Sequence, residues 1–183
     1  MQKRLSKDYT ESMLKGRMAE SLVEELLKGS GNKVYRFGYE SIVQNLTQYG
    51  EVFDSNTEVG EKIRAIPDFI VVNEYGVPEF VEVKFRWNGK PTKDDKIRFE
   101  KVAKFWNAPV VLIRCNEKPY FQVILPPYFD SKGNFKTAPL NKAKGWSIDK
   151  KLYADCEVLV DKYLSPTMTH WSKLVESGLS DTI

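Results

Sequence analysis

Two short segments, IPDFIVVN (Ile66 to Asn73) and VPEFVEVKFR (Val77 to Arg86), leave this chain little freedom. Both are rich in β-branched and aromatic residues and read as strands. Only Glu74, Tyr75 and Gly76 separate them, a tight turn ending in glycine, so the two form a β-hairpin. With the turn centred near Tyr75, residues equidistant from it lie opposite one another, and Asp68 and Glu82 are such a pair. Side chains alternate along a strand, so Glu82 and Lys84 share one side while Val81, Val83 and Phe85 share the other. Two carboxylates directly across a strand pair stand about 5 Å apart at Cβ and repel each other. A divalent cation between them relieves that repulsion and takes oxygen ligands of this kind. A register slip of one residue would undo the pairing.

The rest of the chain supplies the layers around this hairpin. Glu11 to Lys28 reads as a helix, with Leu14, Met18, Leu22 and Leu26 along one ridge and Ala19, Val23 and Leu27 on the next. Gly29, Ser30 and Gly31 stop it. Lys33 to Glu40 reads as a short strand, and Ser41 to Glu61 as a loop or short helix. Asp94 to Trp106 is a helix with acidic residues at its N-terminus, and Pro109 to Cys115 is a strand buried on both faces. Tyr120 to Leu125 is another strand, closed by Pro126 and Pro127; Lys132 to Gly145 is loop-like; Ile148 to Leu164 is a helix that Pro166 ends. The expected fold is α/β, a central mixed sheet flanked by helices plus a C-terminal helix. All 183 residues are expected to form a single domain, with a core over about residues 11–127 and a basic loop and helical extension over about 128–183.

Composition removes several chemistries. The single histidine, His170, excludes HExxH-type and histidine-rich zinc sites. Cys115 and Cys156 stand alone, so they read as reduced, buried or idle thiols. Any metal must be held by oxygen, which favours Mg²⁺ or Mn²⁺. The N-terminus MQKRLSKDYTES lacks an apolar signal region, so a cytoplasmic location is expected, with no membrane partner.

Net charge is only +3, but its distribution is uneven. Lys84 to Lys104 holds eight Lys or Arg against three acids, and Phe129 to Lys151 six Lys against two. Such surfaces suit a polyanion, although solvated lysines give the same pattern. The helix residues Lys93, Lys96, Arg98, Lys101 and Lys104 are candidate nucleic-acid contacts. So are Lys142, Lys144 and Trp146 in a loop that also interleaves Phe135 and Lys136, where aromatics could stack on unpaired bases; a solvated loop with Trp146 folded into the core is the alternative. His170 and Trp171 read as structural or idle.

The residues Pro67 and Asp68, followed at hairpin distance by Glu82, Val83 and Lys84, resemble the motif of the PD-(D/E)XK nuclease superfamily, the restriction-endonuclease-like fold. A carboxylate-x-Lys triplet alone is common, and Asp94 to Lys96 and Asp149 to Lys151 repeat it here. Its position on a strand and the preceding Pro-Asp give it weight. The element order helix, strand, hairpin, helix, strand also matches the family core over roughly Leu14 to Leu125. The compact spacing looks most like archaeal Holliday-junction resolvases and small phage or plasmid nucleases. The resemblance implies that a helix glutamate completes the site; Gly16 and Glu20 look like that element, with Glu24, further toward solvent, as second choice. It further implies a metal-dependent endo- or exonuclease acting on nucleic acid, DNA before RNA, with Mg²⁺ or Mn²⁺ held by Asp68, Glu82, the Val83 carbonyl and Glu20, and with Lys84 assisting the attacking water. Dimerisation is common in such families, so a homodimer is a further expectation. Two other readings stay open, a non-catalytic nucleic-acid-binding domain of the same fold and a protein-interaction subunit.

Overall fold

The computed structural model describes residues 7–38, 54 and 56–165, with side chains from Thr10 onward. Helix α1 spans Lys7–Gly29 and strand β1 Lys33–Arg36. Helix α2 (Glu58–Arg64) precedes the hairpin strands β2 (Phe69–Val72) and β3 (Pro78–Phe85). Helix α3 (Lys93–Trp106) leads to β4 (Val110–Ile113), β5 (Phe121–Phe129), β6 (Phe135–Pro139) and helix α4 (Lys150–Tyr163). The six strands lie side by side in chain order. Only β3 and β4 run parallel, because α3 carries the chain back between them; every other neighbouring pair is antiparallel. This mixed sheet flanked by helices, with a C-terminal helix, is the restriction-endonuclease-like α/β topology expected.

The hairpin register follows from its turn. The Asn73 side-chain carbonyl accepts from the backbone N–H groups of Tyr75 and Val77, each at 3.0 Å, and Gly76 takes the positive φ of 77° that the turn demands. Phe69 then faces Val81 and Ile70 faces Phe80. Continuing that register by one residue sets Asp68 against Glu82, as expected.

Two apolar layers grip the sheet. On one face Val23, Leu26 and Leu27 of α1 and Tyr153, Cys156 and Val160 of α4 pack on Phe69, Val71, Val81, Val83, Val111 and Phe121. On the other, Phe99 and Val102 of α3 pack on Val110, Leu112 and Ile124, with Phe80 partly buried beside them. Every residue of β4 is buried, which matches its continuous apolar run.

Three expectations need correction. Strand β5 does not end at Pro126; it runs to Phe129, and the prolines sit where the ladder with β6 shifts register, so their missing N–H groups cost no regular pairing. The segment Lys132 to Gly145, expected to be loop-like, contains β6 and a short 3₁₀ turn, Leu140–Lys142. β6 is an edge strand with a largely exposed middle, so it carries no apolar alternation to be read. In α1 the apolar stripe is buried only from Ala19 onward; Leu14 is 52% exposed and Met18 is also exposed. The Ser41 to Glu61 segment ends in α2, capped by the Thr57 side chain, while residues 39–53 lie outside the described residues, as do Pro166, His170 and Trp171.

Candidate functional site

Asp68 is fixed from two sides. Its backbone carbonyl accepts from the N–H groups of Phe37 and Gly38 at 2.8 and 3.1 Å, which ties the end of β1 to the start of β2. Its carboxylate Oδ2 accepts the Val83 N–H at 2.7 Å. That bond has a simple origin. The Glu82 and Arg86 amides donate to β4-side carbonyls, Pro109 and Ile113, so the intervening odd-numbered Val83 turns its N–H toward the β2 side. Paired residues of β2 begin only at Phe69, and Asp68 fills the vacated ladder position with its side chain. In an extended strand a residue's N–H and C=O leave on the same side, so the Val83 carbonyl also faces this opening.

Glu82 is only 2% exposed. A carboxylate so deep needs a partner, and Arg98 supplies it, donating Nε at 2.6 Å and Nη2 at 2.9 Å to its two oxygens. The third guanidinium nitrogen donates to the Arg64 carbonyl at the end of α2, at 3.0 Å. Burial works against the Arg98 charge, and Glu82 more than offsets it, so the guanidinium is held firmly charged. Arg98, an expected nucleic-acid contact, lines the cleft with its guanidinium turned onto Glu82.

Lys84 meets a second ion pair. Its Nζ lies 3.2 Å from Asp95 Oδ1, and Arg86 grips the same carboxylate through Nε at 2.7 Å and Nη2 at 2.5 Å. Asp95 is also the third residue of a capping box, accepting the Thr92 N–H at 2.8 Å while Thr92 caps α3. Burial raises the Asp95 carboxyl, but Arg86 and the Thr92 amide outweigh it and hold the group below its ordinary range. The strand thus presents Glu82 and Lys84, and the helix answers with Arg98 and Asp95. Two residues of strand and three of helix cover comparable lengths, about 6.6 and 4.5 Å, so one turn of α3 can serve both. Asp95 and Arg98 are the site residues that sequence reasoning missed in these roles; their i, i+3 spacing of opposite charge was the available signal.

These groups open on one cleft of about 580 Å³. Glu20 and Gly16 of α1 line it together with Asp68, Glu82, Val83, Lys84, Arg86 and Arg98. The Asp68 carboxyl is raised well above its ordinary range, first by burial, then by the charge of Glu82, with a smaller push from Glu20; the Val83 amide and the Arg98 charge oppose them. Glu24, by contrast, is buried rather than solvent-facing and bonds to Lys28 at 2.7 Å and Arg36 at 2.8 Å. Burial raises its carboxyl, and those two partners together pull it below its ordinary value. It is absent from the cleft lining.

The remaining candidates are dispersed. Lys93 and Lys96 are exposed on the first half of α3. Lys101 and Lys104 lie toward α2, 2.9 Å from Glu61 and 3.9 Å from Glu58. Lys142, Lys144 and Trp146 border a second groove that starts at Glu79 and Pro109. Glu79 precedes Lys84 on β3 by about 16 Å of strand. Trp146 is no stacking platform: it is 8% exposed and its indole N–H donates to Glu79 at 2.8 Å. Phe135 is likewise buried, stacked on Phe129 with centroids 5.5 Å apart.

The cleft offers oxygen donors from Asp68, Glu82, Glu20 and the Val83 carbonyl, a set whose chemistry fits a hard divalent ion. It is not preassembled. Arg98 holds both Glu82 oxygens, and among the described residues no three acidic, histidine or cysteine side chains stand close enough together to hold a metal. Among those residues no helix is long and apolar enough to cross a membrane.

No family model and no curated protein matches the chain. Among solved structures, Hjc, a Holliday junction resolvase from the archaeal hyperthermophile Archaeoglobus fulgidus, is similar with a TM-score of 0.39 and 15% identity, covering 76% of this chain and 92% of that one. At that level the likeness carries nothing about what the cleft does. The plain finding is an α/β restriction-endonuclease-like topology with a cleft of buried acidic and basic residues.

Proposed function

We propose that the chain hydrolyses phosphodiester bonds of nucleic acid, DNA before RNA, with Mg²⁺ or Mn²⁺ as cofactor. The observation that carries this reading is the Asp68 carboxylate, bonded to the Val83 amide at 2.7 Å between the positions of Glu82 and Lys84 in a cleft that Glu20 also lines. Asp68, Glu82, Glu20 and the Val83 carbonyl would hold the ion. When bound, it would lower the pKa of a water and neutralise charge on the phosphoryl oxygens. Lys84, held by Asp95, orients the attacking water with its ammonium and answers the negative charge that develops on the phosphate. Arg86 and Arg98 add cationic donors to the same cleft, which suits an anionic substrate. The exposed Lys93 and Lys96 extend that charge along α3, and Lys142 and Lys144 offer a second basic patch.

The test is incubation of plasmid, single-stranded, branched and RNA substrates with Mg²⁺, Mn²⁺ or Ca²⁺, alongside Asp68→Ala and Lys84→Ala. Ion-dependent cleavage lost in both variants, with binding retained, supports the reading; cleavage unchanged in both overturns it. One observation favours a second reading, a nucleic-acid-binding domain without catalysis: Arg98 already neutralises Glu82. That reading expects equal binding with and without divalent ions and no cleavage.

A further inference from the structure

We propose that Arg98 is a latch on Glu82: it fills both carboxylate oxygens in the ion-free protein and must leave them before that carboxylate can take a cation. This rests on the reading of the cleft as a divalent-ion site.

The geometry is specific. Arg98 reaches Glu82 as a planar fork, Nε to one oxygen at 2.6 Å and Nη2 to the other at 2.9 Å. Its last nitrogen, Nη1, is committed to the Arg64 carbonyl. A bidentate guanidinium uses the lone pairs that a metal would use, and it adds a positive charge that repels one. Asp68, opposite Glu82 across the hairpin, accepts the Val83 N–H at 2.7 Å and shares none of the fork, so Glu82 alone of the two carboxylates has both oxygens bonded by the guanidinium.

Arg98 also lines the cleft, with its side chain about a third exposed, so the guanidinium has a route outward. A phosphodiester entering the cleft offers the same fork a second anion, and the exchange frees Glu82 for the ion. Ion and polyanion are then coupled through one side chain, and each strengthens the other by the same factor.

Mn²⁺ titration of the full chain at pH 8, read by the electron paramagnetic resonance of free Mn²⁺, separates the possibilities. Arg98→Met should bind Mn²⁺ about tenfold tighter or more than wild type. Arg98→Lys, which keeps the charge but not the fork, should fall between, and decides alone if the methionine variant fails to fold. Asp68→Asn should lose binding. Mn²⁺ affinity equal to or weaker than wild type in both Arg98 variants, with Asp68→Asn still abolishing it, overturns the latch and leaves the ion site standing. Absence of Mn²⁺ binding in every folded variant overturns both.

Discussion

Removing Asp95 would strike the fold and the cleft together. The residue is 1% exposed and carries two bonds from Arg86, an ion pair with Lys84 at 3.2 Å and the Thr92 amide at 2.8 Å. Asp95→Ala deletes the acid half of the capping box, which is worth about 1 kcal/mol. It also strips both cations of a buried counter-ion, a change that costs roughly 3–5 kcal/mol when the partners stay buried. Arg86 and Lys84 are each about a quarter exposed and can rehydrate, so the lower end applies. The expected loss is about 4 kcal/mol at pH 7, or a fall in Tm of roughly 8–16 °C for a chain of this size. Asp95→Asn keeps an acceptor for Thr92 and loses the charge, and should cost roughly half as much. Because the folded carboxyl lies below its ordinary value, its contribution is present above the unfolded pKa of about 3.9 and fades as pH falls through the folded value. Urea unfolding of the three proteins between pH 3 and pH 7 reads this directly. The gap between wild type and Asp95→Asn should narrow toward pH 3. A loss under about 1 kcal/mol for Asp95→Ala at pH 7, or an Asp95→Asn gap constant across the range, refutes the assignment of Asp95 as the shared anchor.

Other expectations follow from single groups. The Asp68 carboxyl is raised in the folded state, so the stability it contributes is complete below about pH 3.9 and is lost as pH rises through its folded value. Asp68→Asn, measured in EDTA, should therefore be more stable than wild type at neutral pH and show a flatter pH profile; a less stable variant contradicts this. Trp146→Phe should cost about 1 kcal/mol through the lost bond to Glu79 and leave nucleic-acid affinity unchanged. The buried Cys115 thiol is pushed up to about 11 by burial, so iodoacetamide at pH 8 should label it only on unfolding. Rapid stoichiometric labelling of the native chain is the contrary result.

Much of the frame was legible because it rests on local signals. Asn73 and Gly76 dictate the turn, the turn dictates the register, and the register sets Asp68 against Glu82. Glu20 could be placed because it sits at the boundary of the buried ridge that includes Ala19 and Val23. What escaped depended on contacts distant in sequence. Arg98 looks like the other helix lysines and arginines until α3 is folded onto β3, when burial of Glu82 selects it. Trp146 sits among lysines in sequence, and a part-buried hydrogen bond to Glu79, 67 residues away, decides between its stacking and folded-in positions. The short edge strand β6 escaped for a different reason, since an exposed strand needs no periodicity.

Diffraction from crystals soaked in Mn²⁺, with anomalous data collected near the manganese edge, puts the account at most direct risk. A peak should lie in the cleft, bonded at about 2.2 Å to Asp68 and to the Val83 carbonyl, with Glu82 joining as Arg98 turns away. Manganese bound elsewhere, or a cleft empty at saturating Mn²⁺ with Arg98 still on Glu82, contradicts the reading of these carboxylates as a cation site.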